Sequence, residues 1–266
     1  MLEVNKQNYY SNDVNKEYMS VSLFKSFLQE YGGCEAKAIA TLKGEWQEPP
    51  NPAFLIGQYV HSWSEGKLEE FKEKHPEIIA STGKNKGQLK KDFQIADKMV
   101  QTLSQDKLIE KVRQGEKEVI LTTELFGVPW KCQIDIDNPQ AIVDLKTTRD
   151  FRKKYYNEFD GVWSNFIEYY GYDIQMAIYS EIERICRGRD TYKMPHIIAV
   201  TKEEIPDKAI INMGTEFIED TLSWVADKFI RVKKVWHEEE EPKRCEHCDY
   251  CKATKQLKEI IFWRDL

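Results

Sequence analysis

A mixed β-sheet flanked by helices, an α/β or α+β core, follows from three features of the amino-acid sequence. Residues 118–123, 130–137 and 141–147 are rich in Val, Ile and Thr and are separated by Phe126-Gly127 and Asn138-Pro139, the pattern of three strands in a meander. Residues 169–187 and 216–236 return to helical spacing. Two short β-type runs, 197–201 and 209–213, lie between those helices, so strands reach the sheet from both sides of a helix.

The remaining elements follow in chain order. Ser20 stands as a capping residue before apolar residues at helical spacing over 20–28, and Gly32-Gly33 ends that helix. Three prolines over 46–52 specify a loop, and 54–63 then reads as a buried helix leading to Glu65. Residues 81–91 hold Gly83, Gly87, Lys84, Lys86, Lys90 and Lys91, a mobile basic segment before a helix running to about residue 112. Ile174, Ala177, Ile178, Ile182 and Ile185 give the helix at 169–187 one apolar face. The glutamates at 238–241 read as a solvated hinge, and no internal repeat is visible.

Composition narrows the class. A chain of 266 residues with 41% hydrophobic, 32% charged and 12% aromatic residues buries a real core, which excludes a disordered chain, a collagen-like repeat and a disulfide-stapled miniprotein. There is no apolar run of about 18 residues. The opening Met-Leu-Glu-Val-Asn-Lys is too polar for a signal peptide, so the expectation is a soluble cytoplasmic protein without membrane contact. Thirty-nine basic against 45 acidic residues give a net charge of −6. That argues against a general nucleic-acid coat protein, but not against an enzyme with a local basic patch and an acidic cation site.

The meander carries the chemistry. Asp144-Leu145-Lys146 lies on one strand, where alternation sends Asp144 and Lys146 to one face, and Asp135 lies nine residues upstream across a hairpin. Facing carboxylates raise a proton affinity or demand a cation, and hard oxygen ligands suit Mg²⁺ or Mn²⁺. A neighbouring ammonium orients or helps deprotonate the attacking water, or stabilises a pentavalent phosphate, so the constellation fits phosphodiester hydrolysis. His61 and Glu65 share a helix face at i, i+4, as a metal ligand and its supporting partner do.

Gly57-x-x-x-His61-x-x-x-Glu65, Glu116, Cys132-Gln133-Ile134-Asp135, Ile142-Val143-Asp144-Leu145-Lys146-Thr147-Thr148 and Tyr172-Asp173-Ile174-Gln175-Met176-Ala177-Ile178-Tyr179 occur in that order. This succession resembles the PD-(D/E)xK nucleases, and within them the RecE-type phage exonucleases related to the RecB nuclease domain and lambda exonuclease. The resemblance spans residues 20–179. It implies a restriction-endonuclease-like core over about 20–236, in a single domain whose cysteine-rich tail, 242–266, packs back on the N-terminal helix. His61, Asp135, Asp144 and the main-chain carbonyl of Leu145 are the implied metal ligands, and Lys146 the implied catalytic lysine. Glu116 matches the acidic residue on the preceding strand, with Glu118 and Glu124 as competitors. Gln175 and Tyr179 match a Gln-x-x-x-Tyr that orders the scissile phosphate and the lysine. Ser20 and Ser22 match a Ser-x-Ser helix start implied to bind a DNA phosphate. Asp144 stands where many relatives carry glutamate.

Six cysteines include Cys245, Cys248 and Cys251 within seven residues, which in a reducing compartment reads as metal chemistry. Three thiolates need a fourth ligand. His247 lies inside the loop, and Cys34 is preferred because relatives in the RecB, AddB and CRISPR-associated branches pair an upstream cysteine with three C-terminal ones around a [4Fe-4S] cluster. Their spacing is longer, so tetrahedral Zn²⁺ stands as an equal alternative, structural in either case.

The function implied by the resemblance is a metal-dependent exonuclease that degrades one strand of linear double-stranded DNA, 5′ to 3′, leaving a 3′ overhang. A homo-oligomeric ring of three or four subunits, a RecT-like single-strand annealing partner and a phage or prophage origin in a bacterial cell are implied with it. Lys84 to Lys91 and the cluster Arg149, Arg152, Lys153 and Lys154 are candidate backbone contacts. The alternatives are a structure-specific endonuclease or helicase-associated nuclease on the same core, and a non-catalytic, metal-stapled nucleic-acid-binding protein.

Overall fold

The computed structural model describes residues 1–49, 51–159, 161–257, 259–260 and 262–265. Position 50 of the proline loop and positions 258, 261 and 266 of the tail lie outside the described residues. The elements run α1 (Asn12–Glu17), α2 (Val21–Ser26), α3 (Glu35–Lys43), α4 (Pro52–Ser64), α5 (Leu68–Lys74), α6 (Lys91–Ser104), α7 (Lys107–Val112), β1 (Glu116–Leu125), β2 (Val128–Asp137) and β3 (Ala141–Thr148). They continue β4 (Tyr155–Asn157), β5 (Val162–Ser164), α8 (Phe166–Tyr169), α9 (Tyr172–Cys186), β6 (Met194–Thr201), β7 (Lys208–Asn212), α10 (Ile218–Trp236) and α11 (Asp249–Ala253).

Five strands form one sheet in the order β1-β2-β3-β6-β7, antiparallel except where β6 lies parallel to β3. Phe126 and Gly127 turn β1 into β2 with φ of 53° and 72°, the two positive angles that a two-residue hairpin with the native twist needs. A parallel partner cannot be reached by a hairpin, so the chain crosses from β3 to β6 through α8 and α9.

Period-two alternation divides the sheet between two cores. Ile142, Ile197 and Ala199 face the first, with Trp130, Phe24 from α2, Ile174 and Ile178 from α9 and Phe229 from α10. Val143, Leu145, Ile198 and Val200 face the second, with Tyr59 and Val60 from α4, Phe93, Met99 and Leu103 from α6 and Ile109 from α7. Trp130 and Phe229 meet with ring centroids 5.3 Å apart. Each such fully buried large side chain contributes about 1.5–3 kcal/mol of transfer free energy.

Several expectations are corrected in detail. The helix after the basic segment is two helices, because Asp106 accepts hydrogen bonds from the N–H groups of Leu108 and Ile109 and caps a second start. The helix begun at Ser20 ends at Ser26, and Gly32-Gly33 instead follow a 3-10 turn at Gln29–Tyr31. α4 is only half-buried, with Phe54 64% exposed at its start. The segment 81–91 closes a small hairpin through the Ile79–Leu89 bridge and reciprocal bonds of Ala80 with Gly87 and Gln88. The glutamate run is pinned: Glu240 pairs with Lys234 at 2.9 Å and with Arg231. α1, α3, α5 and the β4–β5 hairpin carry no signal that the composition or period revealed, being short or, in α3, built on small residues.

Candidate metal and active centre

The β2–β3 ladder ends where the chemistry begins. Ile136 pairs with Val143 and Asp137 with Ile142, and the register would next set Asp135 against Asp144, but the strands part there. The Asp135 carboxylate fills the gap, its Oδ2 accepting the Leu145 N–H at 2.8 Å. Ile134 packs in the first core and Ile136 in the second, although residues two apart on a regular strand share a face. β2 therefore rotates at Asp135. On the neighbouring strand Glu118, between the register pairs Lys117–Ile136 and Val119–Ile134, has a φ of 54°. A left-handed glutamate inside a strand is strained, and such strain collects where a side chain must be aimed against its strand's alternation.

The result is an acidic cluster. Oxygen atoms of Glu118 and Asp135 and a ring nitrogen of His61 lie within 4.8 Å of one another, and His61 Nδ1 stands 3.5 Å from Asp135 Oδ2. Gln133 on β2 donates to Glu118 on β1 and steadies it. Burial, then the charges of Asp135 and Glu65, push the Glu118 carboxyl up to about 8.

Asp144, 2% exposed, stands beside this cluster on β3. Its Oδ1 accepts from Gln175 Nε2 at 2.6 Å, and its Oδ2 lies 2.7 Å from Lys146 Nζ without an aligned hydrogen bond. Burial raises the Asp144 carboxyl, and Lys146 only partly opposes it while Asp135 adds to it. Burial alone would lower Lys146, but Asp144 and Asp135 outweigh it and raise the ammonium above its ordinary value. Lys146 also lies 4.7 Å over the Tyr172 ring.

A contrast within the molecule shows what the centre lacks. Buried Asp137 meets both Lys193 and Arg187, and buried Glu183 meets Lys193 and Arg189. Asp135 and Glu118 have no Lys or Arg within ion-pair distance among the described residues. An imidazole, two clustered carboxylates and a third carboxylate with an unaligned buried oxygen form a donor set of the kind that holds Mg²⁺ or Mn²⁺, so the residues fit the implied cation.

Glu116 does not belong to this centre. It is exposed, pairs across the ladder with Asp137 and lies 4.0 Å from Arg187. Two residues on, Glu118 occupies the place expected of it; Glu124, opposite Pro129 near the far end of β1, is also outside. Alternation would have put Glu116 and Glu118 on the same face, and the left-handed φ that separates them has no sequence marker. Glu65 supports Lys67, at 2.8 Å, rather than His61. Tyr179, one turn after Gln175 on α9, is partly buried beside Tyr9. Ser20 is 9% exposed and accepts the Leu23 N–H at 3.3 Å as the cap of α2, while Ser22 is exposed in its first turn.

Sequence reasoning missed the N-terminal segment. Tyr10 donates to Gln133 Oε1 at 3.3 Å, and buried Lys131 donates to the Tyr9 carbonyl and, at 2.7 Å, to Asn15 Oδ1. It also missed Lys25, which donates to the Tyr170 carbonyl at 2.7 Å and whose ammonium is lowered to about 8, first by burial and then by Lys146. For Lys131 the available signal was a lysine set between Trp130 and Cys132 on β2. Arg149, Arg152 and Lys154 are exposed, Lys153 lies over Tyr155 at 4.7 Å, and Lys84, Lys86, Lys90 and Lys91 are exposed on the distal hairpin and the start of α6.

A second cluster lies apart. Sulfur atoms of Cys34, Cys245, Cys248 and Cys251 are within 4.8 Å of one another, all four as free thiols. His247 is exposed and offers the cluster only its backbone N–H, 3.5 Å from Cys245 Sγ. None of the described helices is long and apolar enough to cross a membrane.

The sequence profile of a family described as a PDDEXK-like domain of unknown function, DUF3799, matches residues 20–254. Among solved structures, that of a "Putative exonuclease" from Eubacterium rectale superposes with a TM-score of 0.90 at 38% identity, covering 100% of this chain and 98% of that one. Among curated proteins no sequence matches. With the splayed strands, the Asp135, Asp144 and Lys146 constellation and a matched span running from Ser20 through the cysteine tail, the chain belongs to the PDDEXK-like family.

Proposed function

We propose that this protein is a divalent-metal-dependent exodeoxyribonuclease acting on the ends of linear duplex DNA. The observation that carries the hydrolytic reading is the convergence of Asp135, Asp144 and Lys146 where β2 and β3 part, with Gln175 holding Asp144 from behind. A divalent cation at such a centre lowers the pKa of water and neutralises charge on the scissile phosphate. His61, Glu118, Asp135, Asp144 and the Leu145 carbonyl are the residues that would hold it.

The chain's own groups do the rest. Lys146, raised by its carboxylate neighbours, stays an ammonium at neutral pH, so it acts as an electrostatic donor to the phosphate rather than as a base. Asp144 fixes the position of that ammonium, and Gln175 fixes Asp144. Tyr179, one turn along the same helix, packs against the first core. Ser20, Ser22 and the exposed Arg149, Arg152 and Lys154 are proposed to meet the DNA backbone.

The exonuclease mode is supported by the Eubacterium rectale relative's printed name. The finer reading, 5′ to 3′ degradation leaving a 3′ overhang, in a ring of three or four subunits serving a single-strand annealing partner of phage origin, comes from the RecE resemblance. The test is hydrolysis of end-labelled linear duplex and of circular duplex, with Mg²⁺ or with chelator. The expected result is release of the 5′ label first, no cutting of circles, and loss of activity by about three orders of magnitude in Lys146→Ala with DNA binding retained. Cutting of circular duplex would replace the reading with an endonuclease, and full activity in Lys146→Ala would falsify the catalytic assignment.

A further inference from the structure

The four-cysteine cluster has a geometry that discriminates between its two candidate occupants. Cys34 Sγ lies 3.6 Å from Cys251 Sγ, which lies 3.9 Å from Cys245 Sγ, and all four sulfurs fall within 4.8 Å. Four thiolates around one tetrahedral Zn²⁺, with Zn–S bonds of about 2.3 Å, stand about 3.8 Å apart. A [4Fe-4S] cubane places eight atoms inside its ligand shell and binds each thiolate to a different iron, which forces the sulfurs well beyond the observed separations. The four thiols therefore do not fit the iron-sulfur cluster that the resemblance implies.

We propose that Cys34, Cys245, Cys248 and Cys251 hold a single structural Zn²⁺. The surroundings suit a thiolate-bound cation. Backbone N–H groups of His247 and Cys248 point at Cys245 Sγ at 3.5 and 3.3 Å, and the Cys251 N–H points at Cys248 Sγ at 3.4 Å, so the loop donates to sulfurs that carry charge. Four thiolates around Zn²⁺ leave two negative charges. Arg244 donates to the Cys251 carbonyl at 2.6 Å while also pairing with Glu246, and Lys37, in the first turn after Cys34, pairs with Glu48 at 2.7 Å, so each offsets part of that charge.

The site closes the chain on itself. Cys34 stands at the N-cap position of α3, at the α2–α3 corner, whereas its three partners lie more than two hundred residues later. The same seam is held by the Ala36 N–H on the Lys243 carbonyl, by Arg231 on Glu35, and by the Trp46 and Tyr250 rings at 5.6 Å. From Cys34 the connection runs inward. Its N–H donates to the Ser26 carbonyl at 2.8 Å, and Lys25, the adjacent residue, contacts Tyr170 and Tyr172 next to Lys146. The metal thus anchors the corner that buttresses one side of the active centre.

The experiment is elemental analysis of the full-length chain purified anaerobically, with acid-labile sulfide and visible absorbance measured on the same sample. It is repeated in Asp135→Asn, so that an ion at the His61 centre is not counted. The expected result is one zinc per chain in both, with iron and sulfide below a tenth of an equivalent and no brown colour. Cys34→Ser should lower zinc at least tenfold, while His247→Ala should leave it unchanged. Because Cys34→Ser risks misfolding, thiol titration of the unmodified chain gives an independent reading: four cysteines protected from a thiol reagent until a strong chelator is added. Iron with stoichiometric sulfide, iron without sulfide, loss of zinc in His247→Ala, or four freely reactive thiols with no bound metal would each overturn the proposal. None of these readouts depends on nuclease activity.

Discussion

Replacing Gln175 with leucine tests whether the side chain behind Asp144 tunes the centre or merely fills space. Leucine is similarly bulky but one bond shorter and has no N–H, so the 2.6 Å bond to Asp144 Oδ1 disappears from a site where water has little access. A hydrogen bond to a charged group contributes about 1.5–3 kcal/mol, and each 1.36 kcal/mol moves a pKa by about one unit. The Asp144 carboxyl, already raised by burial, should therefore rise by about a further one to two units. A raised carboxyl pKa means the ionised, metal-competent form is lost at higher pH as pH falls. The acidic limb of the pH–rate profile should shift upward by that amount, so kcat should fall by about 10- to 100-fold at pH values on that limb and recover above it. The assay is hydrolysis of labelled linear duplex at saturating Mg²⁺ across the pH range, with DNA affinity measured in chelator as a control for folding. A profile that keeps its acidic limb in place, or an activity lowered equally at all pH values, would refute the argument that Gln175 acts through the Asp144 charge.

The other predictions use the register of β1 and the packing of one glycine. Glu118→Gln should weaken Mg²⁺ activation by about tenfold or more while Glu116→Gln leaves it within about twofold, read as the Mg²⁺ concentration for half-maximal activity; the reverse ranking would restore Glu116 to the centre. Because the Glu118 carboxyl sits at about 8 without metal, cation binding should release a proton, and apparent Mn²⁺ affinity by calorimetry should rise about tenfold per pH unit below 8. A pH-independent affinity would mean that Glu118 is not a ligand. Gly33→Ala should destabilise the fold by about 2–3 kcal/mol, because the added Cβ would meet the Lys25 and Ser26 carbonyl oxygens at 2.5 and 2.6 Å, and backbone atoms cannot rotate away. Thermal unfolding reads this as a drop of roughly 4–12 °C, and an unchanged melting temperature would show that the α2–α3 corner yields.

What could be read from the sequence follows the strength of local physics. Strands with Val, Ile and Thr runs and a Phe-Gly or Asn-Pro break announce themselves, and so does a helix such as α9 with isoleucines at helical spacing. Asp144 and Lys146 were legible because period two holds along β3. It fails along β1 and β2 at Glu118 and Asp135, where the backbone leaves regular geometry with residues that do not advertise it. Glu118 is the cost of that failure, since only a coordinate places it apart from Glu116. The N-terminal segment was illegible for another reason: its helix is one and a half turns long, and it is ordered by Lys131, a residue far along the chain.

The Lys131 contacts bear on how the molecule can be trimmed. The family match begins at residue 20, yet the ammonium of Lys131 is solvated by the Tyr9 carbonyl and Asn15, and the Trp236 indole donates to the Asn15 carbonyl at 3.1 Å. A recombinant chain started at Ser20 would strip three hydrogen-bonding partners from the interior at once. Its lysine would be forced to shed its proton or drag water into the sheet, so the homology boundary is not a folding boundary.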